Sequence, residues 1–333
     1  MKAFVVGIGG GGDIVSAILA WHYYRLKGYD ILLGCVTWER HIEDPVPGPI
    51  CTSAFKNART INSIITELSP DSYAIRNGIK VIPNLVKVLK VLNTNGYSVC
   101  IKESPKAIAD GIEDFANKNS IDTIIGVDAG GDVLAKEFEP NLQSPLIDFM
   151  MLSSIVELKN RGFNTLLAVV GIGCDGELDQ NYILKRISEI ASLNGLLDIK
   201  GYDMDISPLM EEILKVSNTE ASRIPFQAFK GLYGEVTLRK GTRKAFASPL
   251  SAIMFVLDPI IVAKTSKIYE IVKDAKNLED ANKKLNEYGV YTEYNFEIDI
   301  YKKFGMDAKN ITKEQILKIK EEGKKLISLR RIG

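Results

Sequence analysis

Short apolar runs alternate along the chain with stretches that carry apolar side chains at helical spacing. Residues 3–8 are an apolar strand. Residues 13–27 place Ile14, Ile18, Trp21 and Leu26 on a helical period, and residues 30–37 (DILLGCVT) form a second strand. Length and pattern predict a β-α-β unit. A polar stretch from Glu39 to Asn57 follows, in which Pro45, Pro47 and Pro49 exclude helix and central strand. A loop of that length inside a domain is usually functional or disordered. Further strands are predicted over 98–102 and 122–127, with a helix near 105–118 between them. A helix over 144–161 opens at Ser144-Pro145, with proline in the first helical position. Residues 165–171 (TLLAVVG) are apolar throughout, as a central parallel strand should be, and residues 178–194 are helical. Beyond these come a strand with a basic turn (235–246), a buried strand (251–257) and a mostly helical tail from about 266. In that tail Thr312 and Gln315 fit a capping box.

This alternation predicts an α/β fold: a doubly wound, mostly parallel, Rossmann-like sheet in three layers over residues 1–265, with a helical C-terminal extension over 266–333. No repeat of 20–50 residues interrupts it.

Three glycine-aspartate turns stand where apolar strands end. They are Gly7-Ile8-Gly9-Gly10-Gly11-Gly12-Asp13, Gly126-Val127-Asp128-Ala129-Gly130-Gly131-Asp132 and Gly171-Ile172-Gly173-Cys174-Asp175-Gly176-Glu177. If the three strands are parallel neighbours, all three turns open onto one sheet edge, where open α/β sheets bind ligands. Gly7, Gly9 and Gly12 match the dinucleotide fingerprint G-x-G-x-x-G. Two features weaken that reading. Asp13 would set a negative charge against the pyrophosphate, and no acid ends the second strand, Glu39 coming late. An NAD(P)-binding oxidoreductase therefore stays a lesser alternative.

The glycines (Gly9, Gly10, Gly11, Gly12, Gly130, Gly131, Gly173) are candidate backbone donors to a ligand. Asp13, Asp128 and Asp148 are candidate ligand-binding acids. Asp132, Asp175 and Glu177 are candidate catalytic acids, with Asp132 and Asp175 as metal ligands. Mg²⁺ suits such a set, because it takes oxygen donors and is commonly held by one or two carboxylates plus substrate phosphates. The competing structural role is helix capping, which an acid after a strand also performs. Arg40 is a candidate clamp for an anion, and His41 the one histidine acid or base near the edge; His22 lies within the first helix. Arg239, Lys240, Arg243 and Lys244 surround Gly241, either as an anion site, with Arg243 foremost, or as a solvated hairpin tip.

Taken together, GIGGGGDIVSA (7–17), ER…DPVPGP (39–49), GVDAGGDVLA (126–135), SPLID (144–148) and GIGCDGEL (171–178) resemble a mainly archaeal family catalogued as a domain of unknown function. The resemblance spans most of residues 1–260. It implies one site built from these segments and supplies no activity. A weaker likeness, to phosphofructokinases and NAD kinases, stops at the GGD turn, where Val133 replaces the next glycine of their motif.

Charge narrows the functions. Lys and Arg number 42 and Asp and Glu 42 among 333 residues, so no basic excess exists to neutralise a nucleic-acid backbone. The tail cations (Lys318, Lys320, Lys324, Lys325, Arg330, Arg331) interleave with Glu321 and Glu322 and read as a solvated helix face. The four cysteines form no C-x-x-C pair and read as small buried hydrophobes in a reducing compartment. No signal peptide or transmembrane run is expected, and a cytoplasmic location is. The expected partner is a small molecule, with neither nucleic acid nor membrane; a homodimer is compatible with the sequence. The leading expectation is an enzyme that binds an anionic or nucleotide-like metabolite, with Mg²⁺-dependent phosphoryl transfer as its chemistry. The alternatives are a metal-dependent hydrolase or lyase and a non-catalytic ligand-binding protein.

Overall fold

The computed structural model describes residues 1–330. Its strands are β1 (Lys2–Gly7), β2 (Asp30–Val36), β3 (Phe55–Thr60), β4 (Ile65–Arg76), β5 (Ile79–Val81), β6 (Gly96–Val99), β7 (Thr123–Ala129), β8 (Asn164–Val170), β9 (Leu196–Gly201), β10 (Gly234–Leu238), β11 (Arg243–Ala247) and β12 (Ile253–Leu257). Its helices are α1 (Asp13–Leu26), α2 (Asn84–Leu92), α3 (Pro105–Lys118), α4 (Pro145–Asn160), α5 (Gln180–Ser192), α6 (Ser207–Val216), α7 (Arg223–Phe229), α8 (Pro259–Lys264), α9 (Lys267–Val272), α10 (Leu278–Glu287), α11 (Glu293–Phe304) and α12 (Lys313–Arg330).

The protein is a mixed α/β structure around one large sheet in the order β3-β4-β6-β2-β1-β7-β8-β12-β9, with β5 added beside β4. The five central strands, β6-β2-β1-β7-β8, run parallel. Antiparallel strands flank them: β4 pairs with β6, and β12 lies between β8 and β9. The central strands are apolar on both sides because both sides are buried. Phe4, Val6, Ile124, Leu167 and Val169 enter one hydrophobic cluster with α3, α4 and α5. Ala3, Val5, Ile125, Ala168 and Val170 enter another with α1, α2 and α6. From β1 the chain moves outward through α1 to β2, then returns across β1 to β7. The sheet order therefore reverses between β1 and β7, the topological switch point at which such sheets leave a crevice.

The first turn follows β1, the second β7 and the third β8, and these three strands are parallel neighbours. Several other elements carry no clear signal in the sequence. Strand β3 is buried only at Phe55 and exposed over its next five residues, so it shows no apolar alternation. Strand 251–257 is present as β12, which runs antiparallel between β8 and β9; the β10–β11 hairpin before it pairs separately. The C-terminal helices fold back onto α4, and Thr312 and Gln315 exchange both capping hydrogen bonds, at 2.8 and 3.3 Å. Arg331 lies outside the described residues.

The four cysteines are not all free thiols, contrary to what their spacing suggested. Cys35 and Cys174 are buried thiols, but Cys51 and Cys100 form a disulfide across 49 residues of sequence. Separation in sequence hides the pair: Cys51 closes the proline-rich loop and Cys100 follows β6, and sheet pairing brings them together. The loop itself is ordered. The Arg76 guanidinium pairs with Asp44 at 2.9 Å and donates to the carbonyls of Val46, Pro47, Gly48 and Pro49. Among the described residues no helix is long and apolar enough to cross a membrane.

Candidate functional site

The three turns line one cavity of about 170 Å³, closed by the loop after β2, the β10–β11 hairpin and helices α11 and α12. The glycines let carboxylates approach the backbone. A Cβ at Gly9 would stand 2.6 Å from both Asp13 Oδ2 and Asp148 Oδ1, and one at Gly11 would overlap the Glu39 carboxylate. At Gly130, φ is +121° and a Cβ would meet Asp175 Cγ at 2.6 Å. Several turn amides are already engaged. Gly9 donates to Asp13 Oδ2, Gly11 to Trp38 O, Gly130 to Val170 O and Gly173 to Gly130 O. The turns therefore present the cavity with carboxylates more than with free N–H groups.

Those carboxylates are not helix caps. Asp13 opens α1, yet it accepts from Gly9 N at 2.8 Å and Ala129 N at 3.2 Å, tying the first turn to the second. Asp132 opens only a short 3-10 turn, and the next α-helix starts at Pro145. The amides leading into α4 are taken by Glu177 (Gln143 N at 2.6 Å, Ser144 N at 2.9 Å) and by Glu293 (Ile147 N at 2.8 Å), so Asp148 has no capping task. Asp179, not Asp175, caps α5.

Unpartnered oxygens remain. Oδ1 of Asp148 and Oδ2 of Asp175 are buried without a hydrogen-bond partner, and the Asp128 oxygens make only poorly aligned contacts with the Gly131 and Val133 amides and the Asp132 carboxyl; Asp128 and Asp148 are each 1% exposed. Burial, reinforced by neighbouring carboxylates, pushes Asp13, Asp132 and Asp148 well above the usual carboxylate range. Asp128 and Asp175 rise to about 7, again with burial as the main cause. One oxygen from each of Asp13, Asp128 and Asp148 lies within 4.8 Å of the other two, and the same holds for Asp132, Asp175 and Glu177. Opposite oxygens around Mg²⁺ or Ca²⁺ are about 4–5 Å apart, so either set has the dimensions of a hard-cation site.

Glu177 differs from the other acids. Its oxygens hold the Gln143 and Ser144 amides, the Ser144 hydroxyl and, at 2.7 Å, the Arg243 guanidinium. Burial raises its pKa, but Arg243 and these donors outweigh burial and leave it below the usual range. It works as a clamp that positions Arg243 and the start of α4.

Arg40 pairs with Glu220 at 3.1 Å. His41 is buried edge-on against Phe296. Burial, together with Arg40 and Arg239, lowers the His41 pKa to about 3, so its imidazole is neutral. His22 approaches Asp203 and does not line the cavity. Glu293, Arg239 and Lys320 also line it, and none of the three stood among the leading candidates from the sequence. Glu293 and Lys320 come from helices read as an extension, where an acid at a helix start and a lysine in a mixed-charge helix look ordinary. The solvated-face reading of the tail fails at Lys320, whose ammonium donates to Gln143 Oε1 at 2.5 Å inside the cavity.

Fold and site together define a mixed α/β protein with a buried, carboxylate-rich pocket at the switch point of its sheet. Residues 4–301 match DUF1152, a family described as proteins of unknown function, and the chain belongs to that family. No curated protein and no solved structure matches the chain.

Proposed function

We propose that the protein is a metal-dependent enzyme acting on a small anionic metabolite, with phosphoryl transfer or phosphate-ester hydrolysis as its reaction class. One observation carries this reading: buried carboxylate oxygens at Asp148 and Asp175 have no partner and those of Asp128 have no well-aligned one, although other acids take the amides at the start of α4 and α5. Leaving several buried acids uncompensated costs on the order of several kcal/mol, and a bound cation removes that cost. Asp13, Asp128 and Asp148 would hold a hard cation such as Mg²⁺, whose chemistry is to neutralise charge developing on a phosphoryl group. Asp132 and Asp175 stand beside them as further ligands or proton acceptors. The same reading takes the helix groups on either side of the sheet as a doubly wound, Rossmann-like arrangement. A dinucleotide oxidoreductase is less well supported, because the amides that would cradle a pyrophosphate are engaged at Gly9 and Gly11.

Calorimetric titration with Mg²⁺ and Mn²⁺ tests the metal. Asp128→Asn and Asp148→Asn should each weaken binding by about tenfold or more. They should also raise the melting temperature of the metal-free protein, increasingly so as pH rises, since each removes a buried group whose ionised form burial and neighbouring carboxylates disfavour. Variants that melt lower and bind metal as wild type does would make these acids structural. Release of phosphate from a panel of phosphomonoesters and nucleotides, with and without Mg²⁺, then tests the reaction class.

A further inference from the structure

One wall of the cavity gathers cations beside the acids. Arg40 comes from the loop after β2, Arg239 and Arg243 from the β10–β11 hairpin and Lys320 from α12. Arg40 and Arg239 share one carboxylate, Glu220, at 3.1 and 3.6 Å. Arg243 pairs with Glu177 at 2.7 Å. The acceptor that Lys320 finds among the described residues is Gln143 Oε1, which also accepts from Arg243 Nη2 at 3.1 Å. Glu43 also acts on Arg40, and Asp175 and Asp132 on Arg243, so Arg239 and Lys320 are the least compensated of the four. The Nε atoms of Arg40 and Arg243 and Nε2 of His41 are buried with no hydrogen-bond partner. Burial first, and then the neighbouring guanidinium groups, hold Arg239 well below its usual pKa and bring Lys320 down to about 7. Like charges gathered out of water repel one another, and a bound anion relieves that repulsion at Arg239 and Lys320.

We propose that Arg40, Arg239, Arg243 and Lys320 form a subsite for a dianionic phosphate group of the ligand. This rests on the reading of the cavity as a substrate site, but not on the presence of a metal. Three guanidinium groups and an ammonium around one wall suit a phosphate monoester, which carries about −1.5 to −2 near neutral pH and offers several acceptor oxygens. Donors reach the cavity from three separate elements, which suits a tetrahedral group with several acceptor oxygens. A carboxylate would be satisfied by the fork of a single arginine. Lys320 lies beyond the segment matched to the family and is held over the Phe296 ring at 4.9 Å, so α12 completes the subsite.

The test is calorimetric titration of the full chain with inorganic phosphate, and separately with glucose 6-phosphate and AMP. Each titration is run in chelator-treated buffer and again with Mg²⁺. Wild type should bind phosphate in both buffers. Lys320→Gln should weaken binding by about tenfold or more, the worth of one charge-assisted contact. Lys318→Gln, an exposed change on the same helix, should bind as wild type does. A phosphomonoester that binds at least as tightly as phosphate assigns the subsite to a substrate's phosphate, whereas phosphate alone assigns it to the free ion. Either the absence of binding at about 10 mM in both buffers, or a folded Lys320→Gln protein with wild-type affinity, overturns the proposal. Phosphate binding without metal binding would instead overturn only the metal reading.

Discussion

At the scale of single residues, the glycines and acids of the turns are one design. Gly9, Gly11 and Gly130 are small so that carboxylates can lie against the main chain. Gly130→Ala should destabilise the protein by roughly 2 kcal/mol or more, through its positive φ and its approach to Asp175. Thermal melting reads this directly, and an unchanged melting temperature would refute it. The acids were visible in the sequence, but their roles were not. Glu177 resembles Asp175 in sequence, yet one is saturated by donors and the other keeps a bare oxygen. Which acid finds donors depends on where Gln143, Ser144 and Arg243 arrive from, a matter of tertiary contact.

At the scale of elements, α11 is anchored to the loop after β2 through Glu297. Its Oε2 accepts from Trp38 Nε1 at 2.7 Å and from Gly48 N at 3.0 Å. Burial raises its pKa from 4.5 to about 8, against the lowering effect of those two donors. The folded state therefore keeps this proton after the unfolded chain has lost it. The associated stability is fully present below about pH 4.5 and is lost as pH rises towards about 8. Metal-free protein should melt progressively lower across that window. Glu297→Gln, which keeps an acceptor for both donors and cannot ionise, should melt with a shallower pH slope. The difference at alkaline pH should be a few kcal/mol, since each pH unit inside the window is worth about 1.4 kcal/mol. Parallel slopes in the two proteins would show that Glu297 does not carry this dependence.

At the scale of the molecule, the cavity is assembled from segments far apart in the chain: turns after β1, β7 and β8, the hairpin, α11 and α12. The disulfide between Cys51 and Cys100 pins the end of the loop after β2 to the sheet. By chain-entropy arithmetic a closed loop of 49 residues contributes about 4 kcal/mol. Reduction, or the double substitution Cys51→Ser and Cys100→Ser, should lower the melting temperature by several degrees, and a melting curve insensitive to reductant would count against the bond. The parallel centre of the sheet was legible because strands buried on both sides must be apolar throughout. Strands β3–β5 and β9 and helices α2, α6 and α7 were not, and exposed edge strands such as β3 and β9 carry no such constraint.

The strand-turn-helix rhythm of the core and the three glycine-aspartate turns can be read directly from the chain, because periodicity and turn chemistry act between near neighbours. Only long-range contact brings the turns together at the switch between β1 and β7, leaves particular carboxylates without well-aligned donors, and carries a lysine of α12 into the same cavity. Those are matters of long-range strand order, burial and charge, and each is set by residues that no local window contains.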